Sequence, residues 1–141
     1  IYGLNKLIEI FPNALIYTNE AGQKGLFNPR VNFSKYHEEV DDFKFLYPDN
    51  VRLIEKEIIL SIDGNLMVNV LQTPGHDSSC MSYIVDRDLF TGDAYIPGIK
   101  TITTFPRSDK IQAFESLARL QELEKNFGYT VCAGHPNNLI K

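Results

Sequence analysis

Three short stretches each place one metal-capable side chain at the end of an apolar, strand-like run: Thr73-Pro74-Gly75-His76, Gly92-Asp93 and Gly134-His135. Two imidazoles and a carboxylate are the nitrogen and oxygen donors that zinc and similar divalent ions accept. A glycine beside each candidate lets the backbone turn sharply and approach an ion without side-chain obstruction, and functional groups concentrate on such strand-end turns. Taken singly, a Gly-His or Gly-Asp pair is an ordinary turn, and a lone histidine is more often hydrogen-bonded than metal-bound. Together, His76, Asp93 and His135 make half of a metal site.

The elements around these turns are expected to hold them stiffly. Glu57 to Ile62 and Leu66 to Leu71 alternate as strands around Asp63-Gly64-Asn65, a strong hairpin signal, and the second arm runs straight into His76. Met81 to Val85 and Leu89 to Thr91 form a second hairpin through Asp86-Arg87-Asp88, ending at Asp93. The spacing predicts a long helix from an N-cap at Ser108 to about Phe127, with Ile111, Phe114, Leu117, Ala118 and Leu120 as its buried stripe and Gly128 as its stop. Tyr129 to Ala133 is then a short strand, so that His135 completes a βαβ-like unit.

Upstream, Gly3 to Phe11 reads as a short amphipathic helix stopped by Pro12, and Ala14 to Thr18 as a buried strand. Asn19 to Asn50 is the least regular stretch, yet its many aromatics are unlike a linker. They are expected to cover a local core rather than line a substrate pocket. His37 has no second ligand at useful spacing and is left unassigned.

In their order, the T-P-G-H, G-D and G-H segments resemble the later motifs of the metallo-beta-lactamase superfamily, and the resemblance covers nearly the whole chain. It implies an α/β fold, a partial αββα sandwich with a mixed sheet and flanking helices, and metal at the ends of the strands. The family's earlier H-x-H-x-D-H motif is absent; Ile1-Tyr2-Gly3-Leu4-Asn5 is similar to the segment that follows it, so the chain is expected to be the C-terminal portion of a longer domain. The resemblance further implies that His76 joins two upstream histidines on one ion, that His135 joins an upstream aspartate and histidine on a second, and that Asp93 bridges the two. Two such ions, about 3.5 to 4 Å apart, polarise the scissile group and lower the pKa of a bound water to about 7, making hydroxide the nucleophile. No covalent catalyst is therefore assigned among Ser78, Ser79 and Cys80.

The T-P-G-H form is more similar to the glyoxalase II-type and general hydrolase branch than to the nucleases, which implies a small ester, thioester or lactam-like substrate. Two zinc ions are the expected cofactor, with iron or manganese compatible with the same donors. Tyr95, Phe105 and Arg107 follow the bridging aspartate and either face the site or pack on the surface. With most donors elsewhere, the chain alone is expected to bind metal weakly and to be inactive. The competing expectation is a non-catalytic binding or interaction module that keeps the fold without the metal centre.

Composition sets the remaining bounds. A chain of 141 residues with 43% hydrophobic content suits one domain, residues 1–141, with an ordinary core. A net charge of -4 without a basic stripe argues against a nucleic-acid partner. The run Glu38-Glu39-Val40-Asp41-Asp42 lacks the spacing and glycine of a calcium loop and reads as a solvated acidic loop. Cys80 and Cys132 are too few for a disulfide framework and are expected to be buried, inert thiols. A reducing, cytoplasmic setting is the expectation, with no membrane partner because no apolar run is long enough to span. An apolar sheet face lacking its second layer is expected to pair with another copy, as a homodimer, or to aggregate.

Overall fold

The computed structural model describes residues 1–62 and 64–135; Asp63 of the expected hairpin turn lies outside them. Two compact units are present, Ile1–Glu55 and Lys56–Lys141.

The first unit begins with α1 (Leu4–Ile10), followed by β1 (Ile16–Thr18), α2 (Glu20–Phe27) and β2 (Val51–Leu53). β1 and β2 pair in parallel, Ile16 opposite Val51. Helix α2 carries a weak sequence signal, because Gly22 and Gly25 each weaken a helix by about 1 kcal/mol. Its start is nevertheless fixed locally: the Asn19 carboxamide oxygen accepts from the Gly22 N–H at 2.8 Å, satisfying one of the unpaired donors of the first turn. A Cβ at Gly22 would stand 2.0 Å from Thr18 Oγ1, so a larger residue there would have to turn the Thr18 hydroxyl away. Ile8, Leu26, Phe43, Phe45 and Val51 form the core of this unit, with Phe27 and Tyr47 packed on it. The aromatics of the irregular stretch thus do largely build a local core. α1 is less buried than its periodicity suggests, with Ile8 inside and Phe11 60% exposed.

The second unit carries the chemistry. Its strands β3 (Ile58–Ile62), β4 (Leu66–Gln72), β5 (Met81–Val85), β6 (Asp88–Gly92) and β7 (Thr130–Ala133) lie in that order in one mixed sheet. The first three pairings are antiparallel, and β6 and β7 are parallel. Antiparallel neighbours need only tight turns; the parallel pair needs a crossover, which α3 (Lys110–Phe127) supplies. Leu71, Ile84, Leu89, Ala94, Tyr95 and Leu120 are buried together, joining one sheet face to α3. Strand alternation and register put Ile58, Leu60, Val68, Val70, Tyr83 and Phe90 on the opposite face, also apolar.

Two expectations for α3 are corrected. Its N-cap is Asp109, whose Oδ1 accepts from the Ile111 and Gln112 N–H groups, while the Ser108 hydroxyl donates instead to the His76 carbonyl. The buried stripe runs through Ala113, Ser116 and Leu120, whereas Ile111 and Phe114 are each 72% exposed. Small residues face inward where the loop carrying His76 presses on the helix. Leu120 is fully buried at the centre of this packing. Leu120→Ala is expected to cost about 2 to 5 kcal/mol, read as a lower urea midpoint with an unchanged slope.

Among the described residues, no helix is long and apolar enough to cross a membrane. Both cysteines are unpaired and only half-buried, short of the full burial expected of them; desolvation nevertheless pushes the Cys80 thiol up to about 11.

Candidate metal centre

His76, Asp93 and His135 lie far apart along the chain and meet at one end of the five-stranded sheet, each just beyond a strand. His76 follows β4. The turn that carries it is fixed at three points to α3 and the residues that lead into it: the Ser116 hydroxyl donates to the Pro74 carbonyl at 2.7 Å, the Asp109 N–H to the Gly75 carbonyl at 2.8 Å, and the Ser108 hydroxyl to the His76 carbonyl at 2.6 Å. Beneath it, the Thr73 and Ser82 hydroxyls are hydrogen-bonded to each other at 2.8 Å, fully buried between β4 and β5. Asp77, next in sequence, accepts from the Ser79 N–H and hydroxyl and pairs with Arg107 at 2.7 Å.

Asp93 and His135 are brought side by side by the parallel pairing of β6 and β7, with the Gly134 N–H donating to the Gly92 carbonyl at 2.8 Å. Glycine is required at 134, because a Cβ would lie 2.6 Å from Asp93 Oδ1 and displace the carboxylate. Gly92 has φ +52°, the left-handed conformation that turns the chain out of β6.

The carboxylate of Asp93 stands between the two rings. Its Oδ2 is 3.6 Å from His76 Nε2 and its Oδ1 is 3.5 Å from His135 Nε2. These separations are longer than hydrogen bonds, and each oxygen faces a different imidazole. His76 Nδ1 is 2.9 Å from the Ile102 carbonyl, which can only accept, so Nδ1 carries the proton and donates. In the neutral ring this leaves the Nε2 lone pair facing a carboxylate oxygen, an arrangement that a cation between them, a metal ion or a proton, would satisfy. An ion held about 2.0 to 2.2 Å from each atom fits such a separation, and a carbonyl holding the second ring nitrogen is the usual support for a ligating histidine. The donor set therefore fits a divalent ion.

It does not enclose one. Among the described residues, no group of three or more His, Cys, Asp or Glu side chains forms a ligand set for a metal ion. Geometry gives the reason: the two imidazoles address opposite oxygens of one carboxylate, so each position has two donors where a stable site takes three or four. Exposure follows the same order, with the His76 side chain 17% accessible, Asp93 34% and His135 57%.

A cavity of about 330 Å³ opens beside the three side chains, its other wall formed by residues of the segment 96–105. Phe105 is part of this wall and meets the His76 ring edge-on, with centroids 5.6 Å apart. Tyr95, by contrast, points away: its hydroxyl donates to Glu124 on α3 at 2.7 Å. Burial together with that carboxylate pushes it up to about 12. Arg107 acts on the His76 turn through Asp77. Neither the Ile102 carbonyl nor this ion pair carries a signal in the sequence.

Residues 1–135 match the metallo-beta-lactamase superfamily. The chain belongs to that family, which agrees with the mixed sheet, the crossover helix and the three strand-end turns. It is 27% identical over 143 residues to glyoxylase B2 of Dictyostelium discoideum, covering 95% of this chain and 45% of that protein. It is also 27% identical over 135 residues to the metallo-beta-lactamase fold-containing protein ST1585 of Sulfurisphaera tokodaii, covering 86% of this chain and 51% of that one. The chain thus spans about half the length of the curated relatives it matches. Its fold superposes on the ST1585 crystal structure with a TM-score of 0.74, at 28% identity over 96% of this chain and 56% of the other. TTHA1623, solved in a di-iron-bound form, gives the same score at 21% identity, covering 95% of this chain and 63% of that one.

Proposed function

We propose that the protein is a metal-dependent hydrolase of a small ester, thioester or lactam-like substrate, and that this chain supplies one half of its metal centre. The observation that carries this reading is the Asp93 carboxylate, which presents one oxygen to each of two imidazoles from separate strand ends. His76 and Asp93 would hold one divalent ion, and Asp93 and His135 the other, with the remaining donors coming from outside the described residues. When bound, the ions supply Lewis acidity toward a carbonyl and hydroxide at neutral pH. The chain's own contributions are positional. Ile102 orients the His76 ring, Gly134 leaves room for the Asp93 carboxylate, and α3 fixes the His76 turn.

Glyoxylase-like similarity favours the thioester or ester substrates over nucleic acid, as does the small volume of the cavity. Because each ion position has only two donors, the 141-residue chain by itself is proposed to be inactive. The test is hydrolysis of acyl thioesters, esters and lactones by the protein at its full natural length. Activity should disappear with a strong chelator and return with zinc, iron or manganese. Turnover that persists under chelation would overturn the reading.

A further inference from the structure

The wall of the cavity facing the candidate ligands is built from apolar side chains held in a fixed arrangement. Ile96, Ile99, Ile102 and Phe105 line it. Ile96 and Ile99 are bridged across Pro97-Gly98, with the Ile99 N–H donating to the Ile96 carbonyl at 3.0 Å. Gly98 has φ +78°. Proline at the second position of a four-residue turn and a positive-φ glycine at the third define a type II turn, whose shape is set before any ligand arrives. The segment is tied down on both sides of that turn: the Thr91 hydroxyl donates to the Tyr95 carbonyl at 2.6 Å, and the Ile102 carbonyl accepts from His76. The Thr101 hydroxyl is engaged by the Ala94 carbonyl at 3.2 Å, so it adds little polarity to the wall. Lys100 is the one charged side chain of the wall.

Ile102 and Phe105 are nonetheless each 46% exposed, while Ile96, which also lines the cavity, is only 8% exposed. An apolar surface kept open and rigid, ending at two imidazoles and a carboxylate, is divided in the way a substrate with an apolar arm and a reactive carbonyl requires. Its volume of about 330 Å³ lies at the small end for ligand pockets. We infer that residues Ile96 to Phe105 form a preformed acyl-binding wall, and that the substrate carries a short aliphatic acyl group which lies against Ile96, Ile99 and Ile102 while its carbonyl faces His76 and Asp93. The inference rests on the hydrolase reading for the carbonyl end alone; the wall itself needs no metal.

Straight-chain carboxylates from acetate to hexanoate, titrated into the 141-residue chain with and without zinc, test it by calorimetry and by the isoleucine methyl resonances. Affinity is expected to rise about fourfold per added methylene, with the Ile96, Ile99 and Ile102 methyls shifting most. Ile99→Gln should flatten the gradient, and Ile102→Ala should reduce it. No dependence on chain length in the wild-type chain, or an unchanged gradient in both variants, would overturn the proposal. A retained gradient beside thioester or ester turnover that persists under chelation in the protein at its full natural length would support the wall and sink the hydrolase reading.

Discussion

Gly75→Ala is expected to destabilise the chain by about 3 to 5 kcal/mol, combining backbone strain with overpacking. Gly75 has φ +131°, where a Cβ is disfavoured whatever the surroundings, and here the surroundings are backbone. The added carbon would stand 2.1 Å from the Ala113 nitrogen and 2.3 Å from its Cα, backbone atoms at the end of the first turn of α3 that cannot shift independently. Either the turn carrying His76 lifts away, losing its hydrogen bonds to Asp109, Ser108 and Ser116, or α3 moves and strips cover from Leu120. Gly64→Ala is the matched control: its φ is +73° and nothing lies within 4 Å, so only the left-handed penalty of about 1 to 2 kcal/mol applies. Urea unfolding of the two variants should separate them clearly, and equal midpoints would refute the close-packing account.

The second large effect concerns Asp93. Because both imidazoles address the same carboxylate, Asp93→Ala removes a donor from each ion position at once, whereas His76→Ala and His135→Ala remove one from a single position. Zinc affinity, measured by competition with a chromophoric chelator, should fall more than about 100-fold in Asp93→Ala, beyond the 10- to 100-fold that loss of a supporting hydrogen-bond partner costs. Each histidine variant should lose less. Asp93→Asn should resemble the alanine variant, since an amide offers one neutral oxygen in place of a charged pair. An Asp93→Ala chain that bound zinc as tightly as the parent would mean that the carboxylate is no ligand.

How far these positions were legible in the sequence follows from the range over which each is determined. The three turns were visible because a glycine beside a donor at a strand end is a local pattern, and the order of the hairpins and the crossover helix follows from periodicity. Asp109 displaced Ser108 as the cap because the serine hydroxyl is claimed by the His76 carbonyl, a partner 32 residues away that no local rule weighs. Ile111 and Phe114 carry more hydrophobicity than Ala113 and Ser116, yet the smaller pair faces inward because Gly75 leaves no room for anything larger. Helix α2 was hidden by its two glycines, although Asn19 followed by Glu20 held its start signal. Orientation of the His76 ring by a backbone carbonyl could not be read at all, since every residue has one.

Anomalous diffraction at the zinc absorption edge, from crystals of the chain grown with zinc, tests the account at its centre. Peaks are expected between His76 Nε2 and Asp93 Oδ2 and between Asp93 Oδ1 and His135 Nε2, weaker at the more exposed second position. Saturating zinc that leaves both places without signal while occupying other side chains would contradict it.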